Sequence, residues 1–491
     1  LQISAISYKN IYRNIEVKDE DLVLPPINMK EDARLLSEVE IKTLQMRGEQ
    51  KGDTTQFNAD AYKTNPDANA EDLIKKMPGV SSDNEGLKVN GEAVQRVLVD
   101  GKPFFGDDPN AALKNLPAEI IDKVEVFDKQ SDQAQFTGFS DDNQQKTINI
   151  VTKKGKNKGQ FGRVYAGAGA DEDLNARYNA GASINTFSDK RRLSVLLLSN
   201  NVNQQNFSSA DITGAMGTSG GGRGSRRANE SLMTGGQNGI STTNAVGLNY
   251  SDEWGKNIKA SGSYFFNQSE NQSASNITQS YFTENRLLYK QNSESRNTNQ
   301  NHRLNFRLEY DIDSANKITF VPSLSLQDNV SRSLLSGNNT ILDNIFLSST
   351  STRSQANNLG YDLSNSLLYQ HKFRKKGRTI SLNLSNQLNE RNNNGDYQSV
   401  NVFSDSTAGG LDQVYRLYSN TKKYSGNLSY TEPLGKSSQL QVSYLPSYSE
   451  GLSDKRTNDF DNVSNDYINF NPNLSNKYNN VYITQRGGLS Y

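Results

Sequence analysis

The chain has 491 residues, with 54 Lys and Arg balanced by 54 Asp and Glu and no cysteine. Length alone leaves room for about three domains. Zero net charge gives no reason to expect nucleic acid or an anionic surface as partner. Without cysteine there is no disulfide framework, thiolate metal site or cysteine nucleophile. Apolar residues make up only 33%, against roughly 45–50% in globular proteins. The 23 Tyr and 19 Phe nevertheless exceed what a disordered chain carries. His302 and His371 lie far apart in sequence and read as solvated strand residues rather than a metal site or dyad. No run of 18 apolar residues exists, which excludes a transmembrane helix. The opening "LQISAISY" begins in mid-strand, so the chain reads as a fragment of something longer.

In chain order, residues 1–45 give short alternating strands, followed by "NIEVKDEDLVLPPINM", whose Pro25-Pro26 pair confines that segment to a sheet edge. This is the expected tail of a small β-domain. Residues 46–60 are polar and read as a linker.

Residues 61–154 read as a compact α+β domain. Asn69 can cap a helix in which Glu71 and Asp72 suit the positive end and Leu73, Ile74 and Met77 form one apolar side. Pro78-Gly79 stops it. Asn90-Gly91 and Asp100-Gly101 are turn pairs suited to positive φ, so "VLVDGKPFF" is an expected internal hairpin. "LPAEIIDKVEVF" reads as a short helix with Pro117 in its first turn, running into a strand over Lys123–Phe127. Lys146–Lys154 is the last strand.

From residue 155 to 491 the alternation is long and clean. Leu304, Phe306, Leu308, Tyr310 and Ile312 occupy one face, opposite Arg303, Asn305, Arg307, Glu309 and Asp311. The same holds for Ile380, Leu382 and Leu384, and for Leu440, Val442 and Tyr444. Each apolar segment is near the 9–11 residues that a tilted strand needs to cross a bilayer. Short turns occur at "TFSDK", "SDEWGK", "DIDSANK", "KFRKKG" and "EPLGK", with longer polar excursions between them, notably Asn200–Gly239. Phe187, Tyr250, Trp254, Tyr310, Tyr369, Phe373 and Tyr430 crowd the short turns, where an interfacial girdle belongs. The predicted fold class is mainly β, a transmembrane antiparallel β-barrel, preceded by the α+β domain.

The order "EDLIKKMPGV…VNGEAVQRVLVDGKPFF…LPAEIIDKVEVFDK…KTINIVTKKG" resembles the plug of TonB-dependent outer-membrane receptors, and most closely the Bacteroidetes outer-membrane β-barrel family. The resemblance covers roughly residues 30–170 in detail and implies that the α+β domain lies as a plug in the lumen of the barrel. It implies that residues 1–45 end a carboxypeptidase-regulatory-like domain and that Leu36, Val39 and Ile41 of "LSEVEIK" stand where the family carries its TonB box. It also implies outer-membrane lipids and lipopolysaccharide as surroundings, TonB as energy-coupling partner, a candidate surface lipoprotein, and a small-molecule or glycan cargo. About 12 long strands are readable, whereas plugged transporters close with about 22, so the barrel is expected to be incomplete at the C-terminus. The family's Gly-Pro…Leu-Tyr-Gly stretch is replaced here by "QSDQAQFTGFSDDNQQ".

Other candidates have plainer readings. Asp128, Asp132, Asp141 and Asp142 lack the spacing of a calcium loop and read as solvated turn residues. "GTSGGGRGSRR" lacks the context of a phosphate cradle and reads as an extracellular loop, whose Arg223, Arg226 and Arg227 are candidate contacts for an anionic substrate or lipopolysaccharide. No catalytic constellation, cofactor site or metal site is expected. The leading reading is active import of a siderophore, oligosaccharide or peptide, with a plug held to a wet wall by polar contacts. The alternatives are a plugged barrel serving as a structural or assembly partner, and a secreted β-rich adhesin.

Overall fold

The computed structural model describes residues 1–5, 8–16, 23–30, 47–83, 86–105, 109–141, 143–155, 158–203, 239–282, 286–341, 345–405, 407–435 and 438–491. Two compact units are present, Leu1–Met46 and Arg47–Tyr491. In the first, the described strands are only a two-residue ladder of β1 (Gln2–Ile3) on β2 (Ile11–Tyr12). Pro25 and Pro26 lie outside any strand.

In the second unit the α+β domain begins earlier than the sequence suggests. The stretch 46–60, expected as linker, supplies β3 (Gly48–Lys51) and β4 (Thr54–Asn58). Their side chains are mostly polar because the pair lies at one edge of a six-stranded sheet, with β3 outermost. The helix α1 (Ala70–Ile74) starts as predicted. Asn69 Oδ1 accepts from the Asp72 amide while Asp72 Oδ2 accepts from the Asn69 amide, a reciprocal capping box. A small three-stranded sheet follows, made of β5 (Val80–Asp83), β6 (Gly86–Val89) and β7 (Glu92–Ala93). Next come β8 (Arg96–Val99) and β9 (Lys102–Pro103), joined by the predicted Asp100-Gly101 turn with φ of 46° and 77°. A helix not foreseen, α2 (Pro109–Lys114), precedes β10 (Ile121–Lys129). Pro117 caps a single 3₁₀ turn rather than an α-helix, so β10 starts two residues earlier than predicted. A second unforeseen helix, α3 (Asp132–Thr137), fills the departing stretch; Ser131 caps its start and Gly138, at φ 80°, its end. The domain closes with β11 (Gln145–Thr152), between β10 and β8 in the sheet order β3-β4-β10-β11-β8-β9.

The remaining strands form one antiparallel meander, a 13-stranded sheet. In order they are β12 (Lys158–Ala170), β13 (Ala176–Ser188), β14 (Arg191–Asn200), β15 (Ile240–Trp254), β16 (Ile258–Tyr281), β17 (Leu287–Asp311), β18 (Asn316–Ile341), β19 (Ile345–Lys372), β20 (Thr379–Phe403), β21 (Ala408–Pro433), β22 (Gln439–Asp461), β23 (Asp466–Phe470) and β24 (Asn476–Ser490). Twelve are long, as the sequence indicates. Among the described residues β12 pairs only with β13 and β24 only with β22, so the sheet is not closed. All five predicted short turns connect consecutive strands.

At the other rim the structure corrects the expectation of long loops. From β16 to β22 the strands run for 23–28 residues and carry their pairing through the polar stretches. Asn276 pairs with Asn292 and Asn357 with Asn394. The alternation was legible only where one face is apolar, whereas backbone pairing continues when both faces are polar. The connection at 204–238 lies outside the described residues, and Arg223, Arg226 and Arg227 with it.

Cross-strand register keeps the apolar residues in rows. One row pairs Ile258 with Tyr310, Tyr310 with Ile318, Ile318 with Tyr369, Tyr369 with Leu382, Leu382 with Leu428 and Leu428 with Tyr444. A second runs through Leu248, Tyr264, Leu304, Leu324, Leu363 and Leu388. Many of these side chains are exposed, Leu304 by 45%. Among the described residues no second sheet covers them. The opposite face is polar and, in its lower part, buried: Thr319, Gln370, Ser381, Ser429 and Thr431 all lie in the interior.

The capping box gives a direct check on α1. Asn69→Ala should destabilise the α+β domain by about 1 kcal/mol. Urea unfolding followed by protease sensitivity within Arg47–Thr152 would show a lowered midpoint.

Candidate functional site: the seat of the plug on the sheet

The α+β domain lies on the polar face of the sheet, and among its contacts two places stand out by their different chemistry. The first is the Asp100-Gly101 turn. Positive φ at both positions lets the turn reverse tightly, and the Asp100 carboxylate is then fixed by the Thr152 amide at 2.8 Å and the Thr152 hydroxyl at 2.9 Å. Its Oδ2 also accepts from Arg192 of β14 at 2.6 Å. The other arm of the same guanidinium donates to the Val99 carbonyl, and its plane lies over the Phe187 ring, 4.9 Å from the centroid. Arg192 is 4% exposed. A guanidinium that bridges a carboxylate and a carbonyl uses its fork geometry, which a lysine lacks. Beside it, Lys102 pairs with Glu253 at 3.4 Å and donates to the Lys190 carbonyl at 3.0 Å.

The same segment continues into an apolar contact. The Phe105 amide donates to Asn249 Oδ1 at 3.0 Å, and its backbone sits at φ 54°, a conformation non-glycine residues rarely adopt. Phe104 and Phe105 meet edge to face at 4.9 Å. They belong to one buried cluster with Phe187, Leu196, Leu198, Ala245 and Phe265 of the sheet. A Cβ on Gly247 would come within 3.1 Å of Phe105, so the missing side chain lets the ring approach. The expectation of purely polar contacts with a wet wall is therefore corrected: over β13–β16 the seat is dry. Phe187, expected in the interfacial girdle, points the other way and is 1% exposed. Trp254, Tyr310, Tyr369 and Phe373 do stand exposed near the short turns.

The second place is α3. Gln133 Nε2 reaches Ser381 Oγ at 3.0 Å, Ser429 Oγ at 3.2 Å and the Asn427 carbonyl at 3.4 Å. Gln370 Nε2 donates to the Asp132 carbonyl at 3.0 Å. The Asp132 carboxylate pairs with Arg307 at 2.8 Å, Arg307 with Glu309 at 2.8 Å, and Glu309 with Lys317 at 2.5 Å. Lys372 lies 5.6 Å from the centre of the Phe136 ring. This side is mostly polar, although Ala134 of α3 and Leu368 of β19 are buried. Asp132 is thus not a solvated turn residue but the first residue of a helix that faces the sheet. Asp128 pairs with Lys146 at 2.7 Å and Asp141 accepts from Ser131 at 2.6 Å, so neither turns toward a shared cation. Among the described residues no three metal-ligating side chains gather.

Lys129, at the end of β10, faces this ion-pair chain. Burial, followed by the repulsion of Arg96 and then of Arg307, holds its ammonium below the ordinary lysine range, against the opposing pull of Asp132 and Glu309.

The sequence carried a signal for the dry seat that periodicity alone passes over. "VLLL" over Val195–Leu198 and the doublet Phe265-Phe266 are continuous apolar runs, the pattern of a strand covered on both faces. His302 and His371 are strand residues bonded to Tyr264 at 2.9 Å and Asn316 at 2.7 Å. Leu36, Val39 and Ile41 lie outside the described residues.

No family model matches the chain. No curated protein matches it either. Among solved structures it is similar to the siderophore receptor PiuA from Acinetobacter baumannii, with 11% identity and a TM-score of 0.36 over 89% of this chain and 62% of that one. It is similar also to the siderophore receptor PirA from Pseudomonas aeruginosa, with 11% identity, a TM-score of 0.24, and 89% and 93% of the two chains covered. The ferric-catecholate import receptor Fiu from E. coli K12 matches with 8% identity and a TM-score of 0.25 over 89% and 96%. The chain spans under two thirds of the length of the first of these.

Two outcomes follow from the seat. Arg192→Leu leaves Asp100 without its charge partner and should loosen the plug by about 3 kcal/mol, with Arg192→Lys restoring only part; protease release of the plug from the refolded chain measures it. For Lys129 the folded form disfavours the charge, so the penalty is full below its depressed pKa and lifts as pH rises toward the ordinary 10.5. Lys129→Met should therefore raise the thermal midpoint at neutral pH, and the gain should fade in alkaline buffer.

Proposed function

We propose that the chain is the plug and part of the barrel wall of an outer-membrane importer driven by TonB. One observation carries the reading. A folded α+β domain sits on the polar face of a long antiparallel sheet whose other face presents register-matched rows of exposed Leu, Ile and Tyr. Such rows suit hydrocarbon, while a polar inner face suits a water-filled lumen. A wall of this kind needs a stopper, and the plug is bound to both early and late strands through that one face.

The plug's architecture supports opening by traction. Leu36, Val39 and Ile41 would add as a strand to a periplasmic partner. Force on that segment reaches β3 first, the outer strand of the sheet, whose only described partner is β4. An edge hairpin pulled from its free end yields one backbone pair at a time. The two seats then differ in role. The polar contacts of Gln133 and Asp132 can exchange for water as they part, whereas the aromatic seat at Phe105 must expose apolar surface, at roughly 2 kcal/mol for each large side chain. The α3 side is therefore the one that opens, and β13–β16 keep the plug tethered. Cargo of the siderophore, oligosaccharide or peptide class would enter from the rim carrying Arg223, Arg226 and Arg227, in a membrane of lipids and lipopolysaccharide and beneath a surface lipoprotein where one is present.

The dry seat also favours a second reading, a permanently stoppered barrel that serves envelope assembly. Cross-linking separates the two, because the chain has no native cysteine. Gln133→Cys with Ser429→Cys, bridged by a bis-methanethiosulfonate, should abolish uptake of a cargo that supports growth, leave surface expression unchanged, and be reversed by reductant. Deleting Leu36–Lys42 should have the same effect without reversal. Normal function of the cross-linked form would establish the static reading instead.

A further inference from the structure

On the outward face, strands β19 to β22 together with β24 border a groove of 590 Å³. Its floor is Gly426, and its sides are Leu367, Leu384, Tyr424, Pro446 and Tyr448. Four of these, Leu367, Leu384, Tyr424 and Tyr448, are between 37% and 49% exposed, so the groove opens outward. Two residue types create the depression. Gly426 contributes no side chain where its cross-strand neighbour is Leu384. Pro446 has no amide to donate, and the ladder between β21 and β22 passes from Ser425–Ser447 to Leu428–Tyr444 without a pair between them.

A polar pair borders this apolar hollow. Asn365 Nδ2 donates to Asn386 Oδ1 at 3.0 Å. The two amides lie inside the apolar rows, between Leu363 and Leu367 on β19 and between Leu384 and Leu388 on β20. They sit level with Tyr424 and Tyr448, on the side of the groove away from the short turns. One mutual hydrogen bond leaves each primary amide with further donor and acceptor capacity. In hydrocarbon such groups demand partners, since each unsatisfied one costs several kcal/mol.

We infer that the groove is a fixed lipid site: an acyl chain lies over Gly426 and an ester, amide or hydroxyl of the same lipid meets the Asn365–Asn386 pair. This rests on the membrane reading above, and the position of the amides, beyond the groove from the short turns, assigns the lipid to the leaflet facing the long strands. Both a phospholipid and an acylated sugar phosphate carry that chemistry.

The test is native mass spectrometry of the full chain after reconstitution in nanodiscs of phosphatidylethanolamine, with and without lipid A, and release into detergent. A retained lipid adduct is expected, and its mass tells which source supplies it. A Cβ at Gly426 would lie 3.5 Å from Pro446 and 3.8 Å from Leu384, ordinary contacts, so Gly426→Leu fills the groove without a backbone clash. It should reduce the retained fraction about tenfold. Gly409→Leu, on the same strand with open space around it, should leave retention unchanged. Asn386→Leu keeps the floor open and should weaken retention about threefold, the loss of one hydrogen bond. Retention unaffected by Gly426→Leu and Asn386→Leu, or a lipid-free oligomer sealed through this face, overturns the lipid site while leaving membrane insertion intact. Failure of the wild-type chain to enter nanodiscs overturns the membrane reading and the site together.

Discussion

The molecule depends on one constraint: the backbone N–H and C=O groups of an interior wall strand pair with its two neighbours over most of its length, so side chains are free to differ completely between the two faces. A helix in the same setting would have to be apolar all round. Here Leu382 and Ser381, adjacent in sequence, meet opposite surroundings, one exposed among Leu and Tyr, the other fully buried against Gln133. The same constraint explains how a chain with so few apolar residues folds at all. The α+β domain owns nearly all of the conventional core, and the wall needs only a single apolar surface.

That division was legible in the residues. Strict alternation over Arg303–Ile312 located wall strands, and the turn pairs Asn90-Gly91 and Asp100-Gly101 fixed the hairpins of the plug, because positive φ at both positions leaves few alternatives. Asn69 with Asp72 marked the start of α1. What failed did so for identifiable reasons. The hydrophilic upper halves of β16–β22 offer no periodicity to read, since Asn, Ser and Thr occupy both faces. β3 and β4 look like linker because an edge hairpin buries little. The helix α3 hides in "SDQAQFTG", where a Ser cap and a Gly stop are the only local cues, and its six residues give no second turn of pattern.

The seat of the plug was the least legible part. It joins residues more than ninety positions apart, such as Asp100 with Arg192, and no local pattern encodes that pairing. Yet the wall betrays it. Where the plug lies against β14 and β16 in a dry contact, alternation breaks into "VLLL" and Phe265-Phe266; where it meets the wall through Gln133 and Asp132, alternation persists on β17, β20 and β21 and breaks on β19 at Leu367–Tyr369, beside Gln370. Departures from two-residue periodicity thus trace the footprint of the stopper on its container. The footprint is lopsided, greasy on one side and mostly hydrophilic on the other.

The length of the strands has a further consequence. A strand of 25 residues such as β17 exceeds a bilayer crossing of about 10 residues by some 15, or roughly 50 Å of wall along the strand. Hydrogen-bonded sheet does not flop, so the polar stretches of β16–β22 stand as a stiff, hydrophilic wall. In the importer proposed above, cargo would approach the stopper along this rigid, wettable surface rather than through mobile loops.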